Sequence, residues 1–248
     1  MGKKKYNKKQ IKIILSIIAL VIVGIASYFN IDIEKIFSNE ENKYKISYST
    51  SFDLSTIPEY DGINAYVVLN DNEPDFDERY FLSEVFEEYS ELDYLNRCGP
   101  AFANIGIEIM PTEERGEIGR VKPSGWQTIK YDNVDGKYLY NRCHLIGYQL
   151  TGENANEKNL ITGTRYMNVQ GMLPFENMVA DYIDETENHV LYRVTPIFEG
   201  ENLLANGVQI EAKSVEDNGD GICFNVYVYN VQPGIIINYS NGNNKLSI

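Results

Sequence analysis

Cysteine is scarce. Cys98, Cys143 and Cys223 are the three in the chain, and an odd number cannot close a fully paired disulfide framework. One bridge is compatible with the count, and the sequence does not choose it. No Cys-x-x-Cys occurs and histidine stands only at His144 and His189, so a closed Cys/His zinc site has too few well-spaced ligands. Basic charge is short as well. The 248 residues carry 22 Lys and Arg against 36 Asp and Glu, a formal net charge of -14. Six lysines (3, 4, 5, 8, 9 and 12) precede residue 30 with no acid among them, which leaves 16 basic against 36 acidic side chains beyond it. A general basic surface for nucleic acid is excluded. Any grip on phosphate has to come from a local basic site or a bound cation. What is present in quantity is apolar: 43% of residues, enough for a packed core and too many for wholesale disorder.

The lysine-rich start is followed by Ile13 to Ile31, 19 residues without a charge. At about 1.5 Å per residue they reach roughly 28 Å, close to the hydrocarbon thickness of a bilayer. A buried core helix is disfavoured, because the stretch is apolar on all sides with Lys on one flank only. Lysines before it and Asp32 and Glu34 after it orient the N-terminus to the cytoplasm and the remainder outside. A transmembrane anchor over 13–31 is therefore expected, following a basic cytoplasmic segment over 1–12. The competing reading is a signal peptide cleaved near Ala26, at the small-x-small Gly24-Ile25-Ala26. Both readings export the domain.

Residues 32–56 are polar and rich in Ser, Asn and Lys, and read as a flexible tether. A domain over 57–240 follows. Ala65-Tyr66-Val67-Val68-Leu69 predicts a strand. Phe81 to Phe86 and the acids after it fit an amphipathic helix. Residues 98–136 read as ordered loops. Tyr138 to Ile146 predicts a strand carrying His144. Pro174 suits the first turn of a helix, and Phe175, Met178, Val179, Tyr182 and Ile183 extend it to about Thr186. Val190–Phe198, Val208–Ser214 and Ile222–Val231 read as strands, with turns at Asn206-Gly207 and Asn218-Gly219-Asp220-Gly221. The 241–248 tail is expected to fray. The order of elements indicates an α+β fold around a central antiparallel β-sheet.

Chemistry concentrates between Asn141 and Glu176. On a strand Arg142 and His144 project from one face, which then offers a fixed cation and a base that titrates near neutrality. Arginine suits phosphate oxygens. Asn168 supplies a neutral oxygen and Glu176 a carboxylate. Mg²⁺ keeps most of its waters and needs only one or two protein oxygens. Taken singly, each residue has a plainer reading: a structural His, a capping Asn, a Glu complementing a helix dipole, an Arg paired with one of many acids. Spacing alone leaves phosphoryl and acyl chemistry both open.

The ordered set Asn141-Arg142-Cys143-His144, Lys158-Asn159-Leu160-Ile161, Asn168-Val169-Gln170-Gly171 and Glu176 resembles the DNA/RNA non-specific endonucleases of the ββα-metal (His-Me finger) superfamily, closest to the membrane-anchored or secreted nucleases of Gram-positive bacteria. The likeness runs from about Ile57 to Tyr239 and takes in Gly119-Arg120-Val121-Lys122-Pro123-Ser124-Gly125-Trp126. It implies a ββα-metal motif within the sheet fold, with His144 as general base, Arg142 as the motif arginine, Asn159 as an additional active-site residue, Asn168 as ligand to a single Mg²⁺ (or Mn²⁺), and Glu176 orienting water. It also implies cleavage of DNA and RNA outside the cytoplasmic membrane without sequence preference, leaving 5′-phosphate and 3′-hydroxyl ends. Two positions depart from the family's Asp-Arg-Gly-His: Asn141 removes a charge, and Cys143 adds a side chain that must point away from the His144 face. Pro174 argues against one unbroken helix through Asn168 and Glu176.

Lys122, Lys130, Lys158 and Arg165 are candidates for a basic groove, or are simply solvated charges. Trp126 reads as a loop anchor rather than a base-stacking ring, and His189 as structural. Two other functions compete. One is a Cys-dependent hydrolase using Cys98 or Cys143, for which adjacent Cys143 and His144 have poor geometry. The other is an inactive nuclease-like surface-binding module.

Overall fold

Alternating and β-branched runs in the last third of the chain predict strands, and the computed structural model, which describes residues 54–81 and 84–247, forms them. Strands β1 (Tyr66–Val68), β2 (Phe86–Tyr89), β3 (Ala101–Ile105), β6 (Val190–Ile197), β7 (Gly207–Ser214) and β8 (Cys223–Tyr229) make a six-stranded sheet. Its order is β1-β8-β7-β6-β3-β2 with every neighbour antiparallel. Between β3 and β6 the chain inserts β4 (Tyr140–His144), the short helix α1 (Tyr148–Thr151), β5 (Leu160–Thr164) and helix α2 (Leu173–Thr186). Strands β4 and β5 pair antiparallel with His144 opposite Leu160, which gives a strand–strand–helix unit laid on the sheet. Strands β9 (Ile235–Ile237) and β10 (Asn244–Leu246) form a separate hairpin.

Burial explains the layering. Phe175, Val179 and Ile183 recur every four residues on α2, so they share one face. That face meets Tyr192, Val194, Val208, Ile210, Val226 and Val228 of the sheet, with Cys143, Leu145, Met167 and Met172 filling the layer. Each such fully buried side chain contributes about 1.5–3 kcal/mol. The other sheet face is covered by the segment before β2. Phe76, Tyr80 and Phe86 surround Phe102 at ring distances of 5.6, 5.0 and 5.1 Å. On that face Arg193 and Glu211 form an ion pair at 2.7 Å, whose acid is 2% exposed.

The strand with His144, the helix beginning at Pro174 and the three long C-terminal strands follow the sequence expectation. The helix expected over Phe81–Phe86 is overturned. A 3-10 turn, Glu78–Tyr80, is capped by the Asp77 side chain, and Phe86 opens strand β2 instead. Pairing with β3 places Phe86 against Phe102, a non-local contact that outweighs local spacing. Strand β3 lies within the region read as loops. Its five residues are all buried, so it lacks the polar alternation that marks a half-exposed strand. Asn206-Gly207 is not a tight turn: Gly207 begins β7, where a Cβ would stand 2.3 Å from the Val228 carbonyl oxygen. The 241–248 tail does not fray through residue 247, since Asn244–Leu246 pairs with Ile235–Ile237. The last tether residues, Leu54–Thr56, form a 3-10 turn, and Leu54 packs with Ile57 and Tyr60 onto Tyr227 and Tyr229.

The expected anchor over 13–31, and the tether before Leu54, lie outside the described residues. Among the described residues no helix is long and apolar enough to cross a membrane.

Candidate active site

Alternation along β4 turns Arg142 and His144 into a cleft of about 800 Å³ and sends Cys143 the other way, into the core. The added side chain of Cys143 is accommodated by a glycine on the partner strand: a Cβ on Gly163 would collide with the Cys143 sulfur. Asn168 and Glu176 line the same cleft. Asn159 does not. Its side chain is fully buried, accepting from the Ile146 amide at 2.9 Å and donating to the Ile146 carbonyl at 3.0 Å. Both ends of that amide are therefore committed to fixing the chain two residues past His144.

The His144 ring is 7% exposed. Its Nε2 lies 2.7 Å from the Asn154 carbonyl oxygen and its Nδ1 lies 3.3 Å from an Arg115 guanidinium nitrogen. A carbonyl only accepts and a guanidinium only donates, so the ring is assigned as the tautomer with its proton on Nε2 and its lone pair on Nδ1. Burial pushes the His144 pKa down to about 4; the Asn154 bond opposes this and the Arg115 charge adds to it. The imidazole is neutral at physiological pH, with its basic nitrogen 3.3 Å from the Arg115 donor.

Arg142 is built in more rigidly. Its guanidinium donates to the Val121 carbonyl and, at 2.9 Å, to the Gly119 carbonyl, and it lies 3.9 Å from the centre of the Trp126 ring. The Gly119–Trp126 segment is thus the cradle of the motif arginine. Trp126 stacks on that arginine and also packs against Leu139 and Tyr140, which agrees with the loop-anchor reading.

Asn168 sits in a π-helical turn, Met167–Met172, that runs directly into α2. The Leu173 amide bonds back to the Asn168 carbonyl, five residues earlier, and the widened turn lets Pro174 follow as an early α2 residue without interrupting helical backbone. Helical conformation is therefore continuous through both Asn168 and Glu176, contrary to the expectation from Pro174. Glu176 is half-buried in the first turn of α2. Its carboxylate faces Gly147, where a Cβ would stand 2.5 Å from a carboxylate oxygen. Burial raises the Glu176 pKa to about 7 against the opposing pull of Arg115.

Neither the Asn168 side-chain amide nor the Glu176 carboxylate has a hydrogen bond to a described protein group. An unpaired carboxylate and a free amide oxygen bordering one wet cleft are hard oxygen donors, of the number Mg²⁺ requires when most of its ligands are waters. The residues present fit a divalent cation.

The cleft is basic in an acidic chain. Arg115, Arg142 and Arg165 line it, with Glu176 as its acidic residue. Of the groove candidates, Arg165 reaches it while paired with Asp135 at 2.9 Å, and Lys130 lies over the ring of cleft residue Tyr138. Lys158 instead pairs with Glu91 at 2.5 Å. Sequence reasoning missed Arg115. It sits in an irregular loop 29 positions before His144, and no periodicity or motif links the two.

His189 is buried elsewhere, with its Nδ1 on the Glu216 carboxylate, as a structural residue would be. The three cysteines are free thiols. Burial raises the Cys98 pKa to about 12 and pushes Cys143 up further. Neither supplies a thiolate near neutral pH, which counts against a Cys-dependent hydrolase.

Comparison with known proteins identifies the family. Residues 80–216 match the family described as DNA/RNA non-specific endonuclease. A deoxyribonuclease of Streptococcus dysgalactiae subsp. equisimilis is 29% identical over 163 residues, 63% of this chain. The matched region is 43% of that protein, so the chain spans less than half of the length of this relative. The crystal structure of NucA from Streptococcus agalactiae with magnesium ion bound superposes with a TM-score of 0.67 and 25% identity, covering 74% of this chain and 88% of that one. The structure of Sda1 nuclease with bound zinc ion gives a TM-score of 0.61 and 27% identity, covering 74% and 97%.

Proposed function

Because the chain belongs to the DNA/RNA non-specific endonuclease family, we propose that it hydrolyses phosphodiester bonds of DNA and RNA with a divalent metal and without sequence preference. The observation that carries this reading is the buried His144 ring, with Nε2 on the Asn154 carbonyl and Nδ1 on the Arg115 guanidinium, in a cleft that Arg142, Asn168 and Glu176 also line.

In this reading His144 Nδ1 accepts the proton of the attacking water, which needs the neutral ring that burial secures. Arg115 swings from His144 onto a phosphate oxygen when substrate enters, freeing the lone pair. Arg142 keeps its carbonyl contacts and turns its remaining N–H groups to the phosphate, offsetting charge as the attack proceeds. Asn168 would hold the cation, and Glu176 would orient water at the site. Mg²⁺ (or Mn²⁺) bound there would neutralise charge on the scissile phosphate and the departing oxygen. Because the charged groups named here engage phosphate and water, base identity matters little.

The magnesium ion in the NucA structure and the zinc ion in the Sda1 nuclease structure support a divalent cation in the reaction. The domain is proposed to lie outside the cytoplasmic membrane, tethered by the 13–31 anchor, with secretion after cleavage near Ala26 as the alternative. The test is direct. Purified protein is incubated with plasmid and with RNA, in Mg²⁺ or EDTA, beside His144→Ala. Cleavage only by the parent protein with Mg²⁺ is expected. Intact substrates in every arm would establish the inactive surface-module reading, and equal cleavage by His144→Ala would remove the base assignment.

A further inference from the structure

Four side chains alternate along one stretch of chain and border the cleft: Tyr138, Tyr140, Arg142 and His144. The seven residues from Tyr138 to His144 reach at most roughly 20 Å when extended. The stretch therefore forms a floor that runs from the reacting end at His144 to an aromatic end at Tyr138. The aromatics of the cleft differ in what they can still touch. Trp126 is stacked on Arg142 at 3.9 Å. Tyr140 is 3% exposed and its hydroxyl donates to the Gly242 carbonyl. Tyr138 is 46% exposed. Lys130 Nζ lies 4.4 Å from the Tyr138 ring centre, a contact the backbone sets by bridging Lys130 to Tyr138. The backbone amide of Arg165 bonds the carbonyl of Leu139, and the Arg165 side chain, paired with Asp135, lines the cleft as Tyr138 does. A half-exposed aromatic ring with a lysine against it, in a cleft that an arginine also lines, is the chemistry that takes a nucleobase with its phosphates.

Resting on the endonuclease reading, we propose that Tyr138, with Lys130 and Arg165, is a stacking subsite for an unpaired nucleobase several nucleotides from the bond cut. In a duplex, base faces are covered by neighbouring bases, and a protein ring reaches one only where the strand is single or splayed. The subsite thus biases a sequence-indifferent enzyme toward single strands, loops and frayed ends. Selection there is by strandedness, since every base has a face to stack.

The test uses the full-length protein in the His144→Ala background with Mg²⁺, so that binding is read without turnover. Fluorescence polarisation compares labelled oligothymidylate with a labelled blunt duplex. Tyr138→Ala is expected to weaken binding of the single strand roughly five- to hundredfold more than binding of the duplex. Tyr138→Phe and Tyr138→Trp are expected to keep the parent preference. In the cleaving protein the same loss appears in KM for the single strand rather than in kcat. Single-strand binding by Tyr138→Ala equal to the parent, or an equal loss on both substrates, overturns the subsite alone. Failure of Tyr138→Phe to keep the preference also overturns it, because the hydroxyl rather than the ring would then be at work. A parent protein that binds neither probe overturns the endonuclease reading itself.

Discussion

The Nε2 of His144 lies 2.7 Å from the backbone carbonyl of Asn154, and that contact assigns the ring proton to Nε2 and the lone pair to Nδ1. Because the partner is a carbonyl, the tautomer is set by the backbone path and not by a second titrating side chain.

Replacing His144 with Ala should lower cleavage of plasmid by about 10²- to 10⁴-fold, the usual contribution of a positioned base. Circular dichroism should show folding intact. A smaller loss would mean that proton removal is not its role.

The pH dependence of stability carries a signature of the same ring. Burial holds His144 near 4 in the folded state, below the usual value near 6.5. Between those values the unfolded chain binds a proton that the native state refuses. The protein should therefore keep this part of its stability above about pH 6.5 and lose it progressively as pH falls toward 4. Urea midpoints measured across that window should fall more steeply for the parent than for His144→Gln.

Glu176 has the opposite sign. Burial raises its carboxyl to about 7 in the metal-free protein, so the native state retains a proton that the unfolded chain releases. Metal-free protein should lose stability as pH rises from about 4.5 through 7. A thermal melt at pH 8 should show Glu176→Gln melting above the parent by a few degrees without metal. Added Mg²⁺ should raise the melting temperature of the parent and raise that of Asn168→Ala much less.

Asn159→Ala should act through stability. It strips partners from a buried amide and a buried carbonyl of Ile146, each costing about 1–3 kcal/mol when left unpaired. A loss of about 2–4 kcal/mol in chemical denaturation is expected. A fall in kcat should accompany it, since the chain leaving His144 loses its anchor. Unchanged stability with abolished cleavage would instead place Asn159 on the substrate.

Arg142→Lys should not behave as a conservative change. Lysine cannot bond both the Gly119 and Val121 carbonyls and stack flat on Trp126. Cleavage should fall at least about tenfold with KM raised, as measured on plasmid at varied concentration.

Much of the frame was legible locally. Period-two alternation marked the strand with His144, and four-residue spacing after Pro174 marked α2, because both patterns record which face is buried. Local spacing points to helix where β2 begins and carries no mark of β3. Their stability lies in pairing with each other and with β6, contacts distant in sequence that leave no local period. The π turn at Met167–Met172 was equally hidden, since it is the widened backbone that reconciles Pro174 with a continuous helix.

By itself, the sequence determined the order of the chemical groups and the face on which Arg142 and His144 lie, because strand geometry ties side-chain direction to residue number. Only the tertiary structure decided that Asn159 turns inward to hold Ile146 while Arg115 reaches His144 from a distant loop. Those outcomes depend on which buried backbone groups need partners and on where an irregular chain passes, and neither is written in residue spacing.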